Sequence, residues 1–136
     1  MKSIKVNKPG GLDKLSFEDF TPRKPGINEI QVEIKASSLN FHDYLVAVGL
    51  LPVDEGRIPL SDGAGIVSEV GAGVESFSKG DRVLGYFFPN WDDGSASMEK
   101  MSGIPGDNVD GFASQIVTMS ASAFGSMPAN LDFLAA

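Results

Sequence analysis

The residues best suited to chemistry lie in one short segment, residues 38–49, which reads SLNFHDYLVAVG. This segment holds His42, the only histidine of the chain, between the polar residues Asn40 and Asp43. An imidazole titrates near neutral pH and therefore suits proton transfer. A single histidine on a short helix more often only bonds a nearby backbone carbonyl. From the residues alone, we prefer this structural interpretation over a catalytic one.

Metal chemistry has little support in the composition. A structural zinc site needs three or four ligands, mostly Cys and His, and the 136 residues include no cysteine and one histidine. The run DNVDG, residues 107–111, has the start of a calcium loop, but its spacing differs and no glutamate follows at the required distance. The residues therefore predict no metal site.

The net charge, the hydropathy and the glycine patterns argue against several further classes of function. The net charge of −7 repels phosphate backbones, so nucleic acid is not an expected partner. No segment approaches the ~20 apolar residues of a membrane span. The absence of cysteine suits a reducing compartment, and we expect a cytoplasmic protein. The runs GAGIVS (63–68) and GAGVES (71–76) lack the third glycine of a dinucleotide fingerprint and indicate turns.

Short strands must position the polar segment. In EIQVEIKAS, residues 29–37, Ile30, Val32 and Ile34 alternate with polar residues and are predicted to face a core. The same reasoning assigns Leu15 and Phe17 to the core. Further strands are predicted over 3–7, 14–20, 81–88 and 111–124, and residues 64–74 are predicted as a strand that runs into a glycine turn. With 16 glycines and 8 prolines providing turns, this pattern predicts a mainly β fold, an antiparallel barrel or sandwich.

The polar segment itself breaks the alternation and predicts a short helix. Its apolar face is predicted from helical spacing to consist of Phe41, Leu45 and Val48. Asn40 is the expected N-cap, with its side-chain oxygen accepting from amides of the first turn, and Asp43 lies in that turn. Near the end of the sequence, Asn130 is expected to cap a second helix.

Three segments together resemble a known family. They read EIQVEIKASSLNFHDYLVAVG (29–49), IPLSDGAGIVSEVGAGVESFSKGDRVLG (58–85) and MPANLDFLAA (127–136). In this order and spacing they are similar to the first half of a medium-chain dehydrogenase/reductase. The resemblance implies that residues 1–136 form a GroES-like catalytic domain, a distorted β-barrel with a few short helices. It also implies an NAD(P)-binding Rossmann domain, expected after residue 136 and absent from this sequence.

The zinc positions of that family are changed here. In zinc-dependent alcohol dehydrogenases, a catalytic cysteine ligand occupies the position of Asn40, and a His–Glu pair aligns with Ser61 and Asp62. Their four-cysteine zinc lobe would fall within the long polar loop 89–111, which has no cysteine. The chain is therefore more similar to the zinc-free quinone oxidoreductase branch, in which a run like Asn40–Asp43 is typical.

The resemblance implies hydride transfer from NADPH, bound mainly by the missing domain, to a quinone, enone or similar carbonyl compound. Asn40 and His42 are then the expected catalytic residues, with His42 as proton donor. Asn40 is placed either beside the nicotinamide or on the substrate oxygen. The residues expected to contact the cofactor are Asn40, Phe41 and Asp43, and those expected to form substrate-binding walls are Tyr44, Phe88 and Trp91. Full-length relatives are commonly homodimers.

Two other interpretations stay open at this point. The chain is, alternatively, a free-standing GroES-like module that binds a small molecule or a partner without catalysis. A third interpretation is an acyl-reducing module from a larger synthase. Under the leading interpretation, the 136 residues alone are expected to be inactive, because the cofactor domain lies outside them.

Overall fold

The computed structural model describes all residues from 1 to 136. It contains one α-helix, two 3-10 turns and seven strands, and all strand pairings are antiparallel. This confirms the predicted mainly β fold with a few short helices. The strands are β1 (Lys2–Val6), β2 (Leu15–Asp19), β3 (Glu29–Ala36), β4 (Ala64–Val70), β5 (Arg82–Gly85), β6 (Ile116–Ser120) and β7 (Phe124–Ser126); the helix is α1 (Phe41–Ala47), and the 3-10 turns are Leu12–Lys14 and Ala121–Ala123.

The strands form a two-stranded hairpin, β1–β2, and a five-stranded sheet in the order β6-β3-β4-β5-β7. The core follows the alternation of β3, because Ile30 and Val32 are fully buried and Ile34 packs against them. The buried cluster around them consists of Val67, Val83, Phe112, Val117, Ala123 and Phe124. The sequence prediction for β3 is thus confirmed.

Two glycines make room for the largest buried side chain, Phe112. A Cβ built on Gly63 would lie 2.7 Å from the Phe112 ring, and one on Gly85 would lie 2.2 Å from it. Carbon atoms do not approach this closely without displacement, so these positions accept no larger residue while the ring keeps its place. Phe112 thereby packs against the start of β4 and the end of β5. Its neighbour Gly63 directly follows Ser61 and Asp62 in the chain.

The prediction that Leu15 and Phe17 enter the core is wrong. Phe17 is 70% exposed and pairs directly with the partly exposed Ile4 of β1. On the opposite face of this hairpin Ser3 is buried, whereas on the Phe17 face burial is confined to Val6 at the end of β1. Alternation identifies the residues that share a face of a strand, but it does not identify which face the rest of the chain covers.

The helical region begins where predicted, but its inward face differs. Phe41 is 75% exposed, and Asp43 and Val46 are the buried residues of α1. The predicted apolar face through Phe41 is therefore wrong, because this two-turn helix packs with its Asp43–Val46 side against the body. Near the end of the chain there are turns in place of the expected helix, and Asp132, rather than Asn130, accepts the N–H bonds of Leu134 and Ala135.

The loop 89–111 carries no helix or strand, as the sequence predicted. The predicted strand over 111–124 divides into β6, a 3-10 turn and the start of β7. No helix is long and apolar enough to cross a lipid bilayer.

Candidate active site

The polar segment after β3 meets the residues that precede β4. The Asn40 amide nitrogen Nδ2 donates to Ser61 Oγ at 3.0 Å and to Asp62 Oδ2 at 2.8 Å. Because a carboxylate only accepts hydrogen bonds, Asp62 fixes which end of the Asn40 amide faces it. Both N–H bonds of the amide are therefore used within the chain.

Asp62 is the centre of this polar network. Its Oδ1 accepts the Ser38 backbone N–H at 3.1 Å and the Ser38 hydroxyl at 2.9 Å, in addition to the Asn40 bond to Oδ2. The Ser37 hydroxyl donates to the backbone carbonyl of Asp62 at 2.7 Å. Hydrogen bonds to a carboxylate are stronger than those between neutral groups. Asp62 thereby anchors the loop between β3 and α1.

Ser61 is held in place by a strained neighbour. Leu60 has a positive φ of 76°, a conformation that costs a leucine free energy and persists only where the surroundings enforce it. Its carbonyl oxygen accepts the Phe112 N–H at 2.9 Å, and that same oxygen would lie 2.1 Å from a Cβ on Gly111. This tight packing directs the fully buried Ser61 towards Asn40.

Asn40 is the N-cap of α1, as predicted, and it forms a capping box with Asp43. Asp43 Oδ2 accepts the backbone N–H of Asn40 at 2.8 Å, and the Asn40 side chain faces the backbone N–H of Asp43 in the reciprocal half of the box. The amide nitrogen of the same side chain is turned to Ser61 and Asp62. Asp43 itself is buried, and its Oδ1 has no partner.

His42 lies on α1 between an aromatic ring and a carboxylate. Its imidazole meets the Phe87 ring edge to face, with the ring centroids 5.3 Å apart. Its Nε2 lies 3.5 Å from Asp107 Oδ2, and both side chains are 20% exposed. Nε2 is buried without a hydrogen-bond partner, so the expected bond to a backbone carbonyl is not made by this nitrogen.

The aromatic residues divide into two groups. Phe87, Phe88 and Trp91 continue from His42 as a chain of contacts, with centroid distances of 4.7 Å and 5.9 Å. Phe41 and Tyr44 form a separate stacked pair at 6.1 Å on the exposed side of α1. The structure thus places Phe88 and Trp91 on the His42 side, and Phe41 beside Asn40 at the start of α1.

The run DNVDG does not bring its oxygens to one point. Asp107 faces His42, whereas Asp110 pairs with Arg57 at 3.1 Å. Between them, Asn108 Oδ1 accepts the backbone N–H bonds of Gly103 and Ile104. Sequence reasoning missed the Asp107–His42 contact, because a loop without periodicity gives no signal for a contact so distant in the chain.

The side chains at the three zinc-associated positions do not suit a zinc ion. Zinc prefers thiolate, imidazole and carboxylate ligands. Asn40 presents hydrogen-bond donors to this point, and Ser61 offers a hydroxyl. The remaining carboxylate, Asp62, already accepts bonds on both oxygens. Hydrogen bonds within the chain thus engage both amide donors of Asn40 and both carboxylate oxygens of Asp62.

The strongest perturbation of a pKa lies away from this site, at the start of β3. The Arg23 guanidinium binds Glu29 through both of its terminal nitrogens, with Nη2 at 2.6 Å from Oε1. This bond, and the Gly26 N–H that donates to Glu29, lower the pKa of Glu29 to about 2. The same pairing raises the pKa of Arg23. The pair fixes the Pro-rich loop before β3, residues 21–28, to the sheet.

Comparison with known families identifies the domain. Residues 26–129 match the alcohol dehydrogenase GroES-like domain. The chain belongs to this family. The match spans β3 to the residues just after β7, and so includes the whole five-stranded sheet and the Asn40–Asp62 network. It confirms the expected GroES-like domain of the medium-chain dehydrogenase/reductases.

Relatives of this GroES-like domain are longer proteins. A zinc-type alcohol dehydrogenase-like protein of Schizosaccharomyces pombe is 38% identical over 126 residues, which are 90% of this chain and 36% of that protein. Quinone oxidoreductase 1 of Escherichia coli is 45% identical over 82 residues, or 60% of this chain and 25% of that protein. The crystal structure of Escherichia coli quinone oxidoreductase complexed with NADPH matches with a TM-score of 0.75 and 31% identity, covering 98% of this chain and 35% of that one. The chain therefore spans about a third or less of the length of each.

Proposed function

We propose that this domain is the catalytic half of a zinc-independent, NADPH-dependent oxidoreductase that reduces quinones, enones or similar carbonyl compounds. The observation that carries the proposal is the network of Asn40, Ser61 and Asp62, which are joined by hydrogen bonds at the positions that zinc-dependent relatives use for metal. The identity with a quinone oxidoreductase, and the likeness to one complexed with NADPH, support the choice of substrate class and cofactor.

The geometry of Asn40 favours one of its two expected roles. Both amide N–H bonds are donated to Ser61 and Asp62, and the side-chain oxygen Oδ1, which faces the Asp43 backbone in the capping box, keeps a second lone pair that can accept from a ligand. An oxygen accepts hydrogen bonds, which suits the carboxamide group of a nicotinamide; holding a developing oxyanion requires a donor instead. We therefore place Asn40 on the cofactor side, with the exposed ring of Phe41 beside it. Asp43 contributes by fixing the backbone of Asn40.

The substrate side is assigned to aromatic residues and His42. When bound, NADPH supplies the hydride. The rings of Phe88 and Trp91, tilted by 52° to each other, each give an apolar surface on which a planar acceptor can pack, and Tyr44 offers a further one on α1. His42 lies at one end of the Phe87–Trp91 aromatic chain, where it can deliver a proton to the reduced acceptor.

The wider assembly is part of the same proposal. We place a Rossmann domain after residue 136 in the natural protein, with the cofactor bound mainly by that domain. We further propose a homodimer in the cytoplasm. The 136 residues alone are then expected to show no turnover, because most of the cofactor site lies outside them.

The proposal is tested on the protein at its natural length, by following NADPH oxidation with 1,4-benzoquinone as acceptor. Asn40→Ala should lose most turnover, because it removes both the network and the proposed cofactor contact. Asn130→Ala is the matched control, since Asn130 is exposed and makes no side-chain hydrogen bond. An Asn40→Ala protein that folds and retains full turnover would exclude the assigned role. Wild-type protein without any turnover would favour a binding module.

The role of His42 has a separate test. His42→Gln keeps a polar side chain of similar reach but cannot transfer a proton near neutral pH. We expect the pH dependence of kcat to change in this variant, because the group that donates the proton is gone. An unchanged pH–rate profile would exclude His42 as the donor without affecting the assignment of Asn40.

A further inference from the structure

We propose that Asp107 is a positioning residue for His42. In this arrangement its carboxylate holds the buried nitrogen Nε2 of the imidazole, and Nδ1 is left as the nitrogen that transfers the proton. The inference rests on the proposed function only for its catalytic consequence. The pairing itself is a property of this chain and is open to a test of its own.

The burial of Nε2 is the first support. Nε2 is enclosed and has no hydrogen-bond partner, and an acceptor, Asp107 Oδ2, lies 3.5 Å away. A contraction of about 0.6 Å would give a normal charge-assisted hydrogen bond. An enclosed polar nitrogen without a partner is costly, so this contraction is favourable. The ring of Phe87 packs across the imidazole and limits its rotation.

The second support is that the Asp107 loop is closely packed and internally hydrogen-bonded. Pro105 is fully buried, and the Gly106 N–H donates to the Val109 carbonyl at 2.8 Å. A Cβ on Gly106 would lie 2.8 Å from the Leu60 backbone nitrogen, so the loop touches the backbone that carries Ser61. Asn108 closes the same loop through two backbone N–H bonds. Asp107 is therefore presented to His42 by a packed turn.

The charges around His42 support the same pairing. On its own helix, the neighbouring carboxylate is Asp43, whose Oδ2 is engaged by the Asn40 N–H. From the segment after β5, His42 meets the apolar ring of Phe87. Asp107 is thus the acidic group that faces Nε2 from the opposing loop.

The chemical consequence concerns which nitrogen carries the mobile proton. With Nε2–H donated to Asp107, the charged imidazolium has its second proton on Nδ1. In the transfer step the Nδ1–H bond breaks, its electron pair stays on Nδ1, and an O–H bond forms on the acceptor that has taken the hydride. Neutral His42 remains as the Nε2–H tautomer paired with Asp107, and solvent returns the proton to Nδ1. The opposite tautomer would place a nitrogen lone pair against a carboxylate.

The pairing is tested by ¹⁵N NMR of the imidazole in the 136-residue chain, at a pH where the ring is neutral. His42 is the only histidine, so the spectrum holds the signals of one ring. We expect the wild-type shifts to report the Nε2–H tautomer, and Asp107→Ala to move both nitrogens towards the values of a free imidazole. Asp110→Ala, in the same loop but paired with Arg57, should leave them unchanged.

Identical imidazole shifts in wild type and Asp107→Ala would overturn the proposal. If Asp107→Ala does not fold, Asp107→Asn keeps the shape and weakens the acceptor, so a smaller shift in the same direction is expected, and no shift again overturns the proposal. In the natural-length protein, Asp107→Ala should lower kcat by about 10- to 100-fold with little change in KM, since proton transfer by a positioned group contributes about 10²–10⁴. Altered NMR shifts in a protein without turnover would refute the proposed function alone. Normal turnover with unaltered shifts would refute the role of Asp107 alone.

Discussion

Replacing Asp62 by alanine tests whether the polar network holds the site together. The carboxylate accepts one bond from the half-buried Asn40 and two from the exposed Ser38. The Ser38 donors return to water in the variant, so their loss costs little. The Asn40 amide loses a bond to a charged acceptor, which is worth about 1.5–3 kcal/mol. We therefore expect Asp62→Ala to lower the free energy of unfolding by about 2 kcal/mol.

This loss is measured by thermal unfolding followed by circular dichroism. Scaled to 136 residues, about 2 kcal/mol corresponds to a fall in Tm of about 7 °C. Asp92→Ala is the matched control, because Asp92 is exposed and makes neither an ion pair nor a side-chain hydrogen bond; its effect should stay within about 0.5 kcal/mol. Asp62→Asn, which keeps one acceptor oxygen, should fall between the two. A Tm of Asp62→Ala equal to that of the control would refute the reasoning about the network.

Three further predictions concern the scaffold. Gly65→Ala should destabilise by about 1–3 kcal/mol in urea unfolding, because its Cβ would lie 2.3 Å from a backbone carbonyl of β3; Gly80→Ala, with no atom within 4 Å but a positive φ, should cost less. The ion pair of Glu29 with Arg23 stabilises the fold above the ordinary pKa of 4.5 and is lost as the pH falls through about 2. The free energy of unfolding of Glu29→Gln should therefore be about 1 kcal/mol lower at neutral pH and should change less between pH 4.5 and pH 2 than that of the wild type. An unchanged pH dependence would count against the ion pair. Phe17→Ser should cost under about 1 kcal/mol, since the ring is exposed, and a loss of 3 kcal/mol or more would place it in a core.

Alternation predicted the central strand well and the first hairpin poorly, for one physical reason. In β3, both neighbours of the strand are present in the sheet, and the only apolar face, Ile30 and Val32, had to be buried. In β2, alternation correctly groups Leu15 and Phe17 on one face, which the register places opposite Val6 and Ile4 of β1. The local sequence does not indicate that the rest of the chain covers the face of Ser3 and leaves Phe17 exposed.

The candidate site was predictable only in part. The polar residues of α1 are adjacent in the sequence, and capping chemistry alone predicts Asn40 at the start of the helix, where the structure has it. Ser61 and Asp62 were brought to it by family resemblance, not by any local pattern. The positive φ of Leu60 was not predictable, because leucine rarely adopts it. The contact of Asp107 with His42 was not predictable either, because only the folded loop brings these two residues together.

The central claim is that the domain serves NADPH-dependent reduction without zinc, and one measurement tests it most directly. The natural-length protein, purified and treated with a strong zinc chelator, is assayed for NADPH oxidation with 1,4-benzoquinone, in parallel with Asn40→Ala. We predict that wild-type turnover survives the chelator and that Asn40→Ala loses it. Turnover that disappears with the chelator and returns on addition of zinc would contradict the claim.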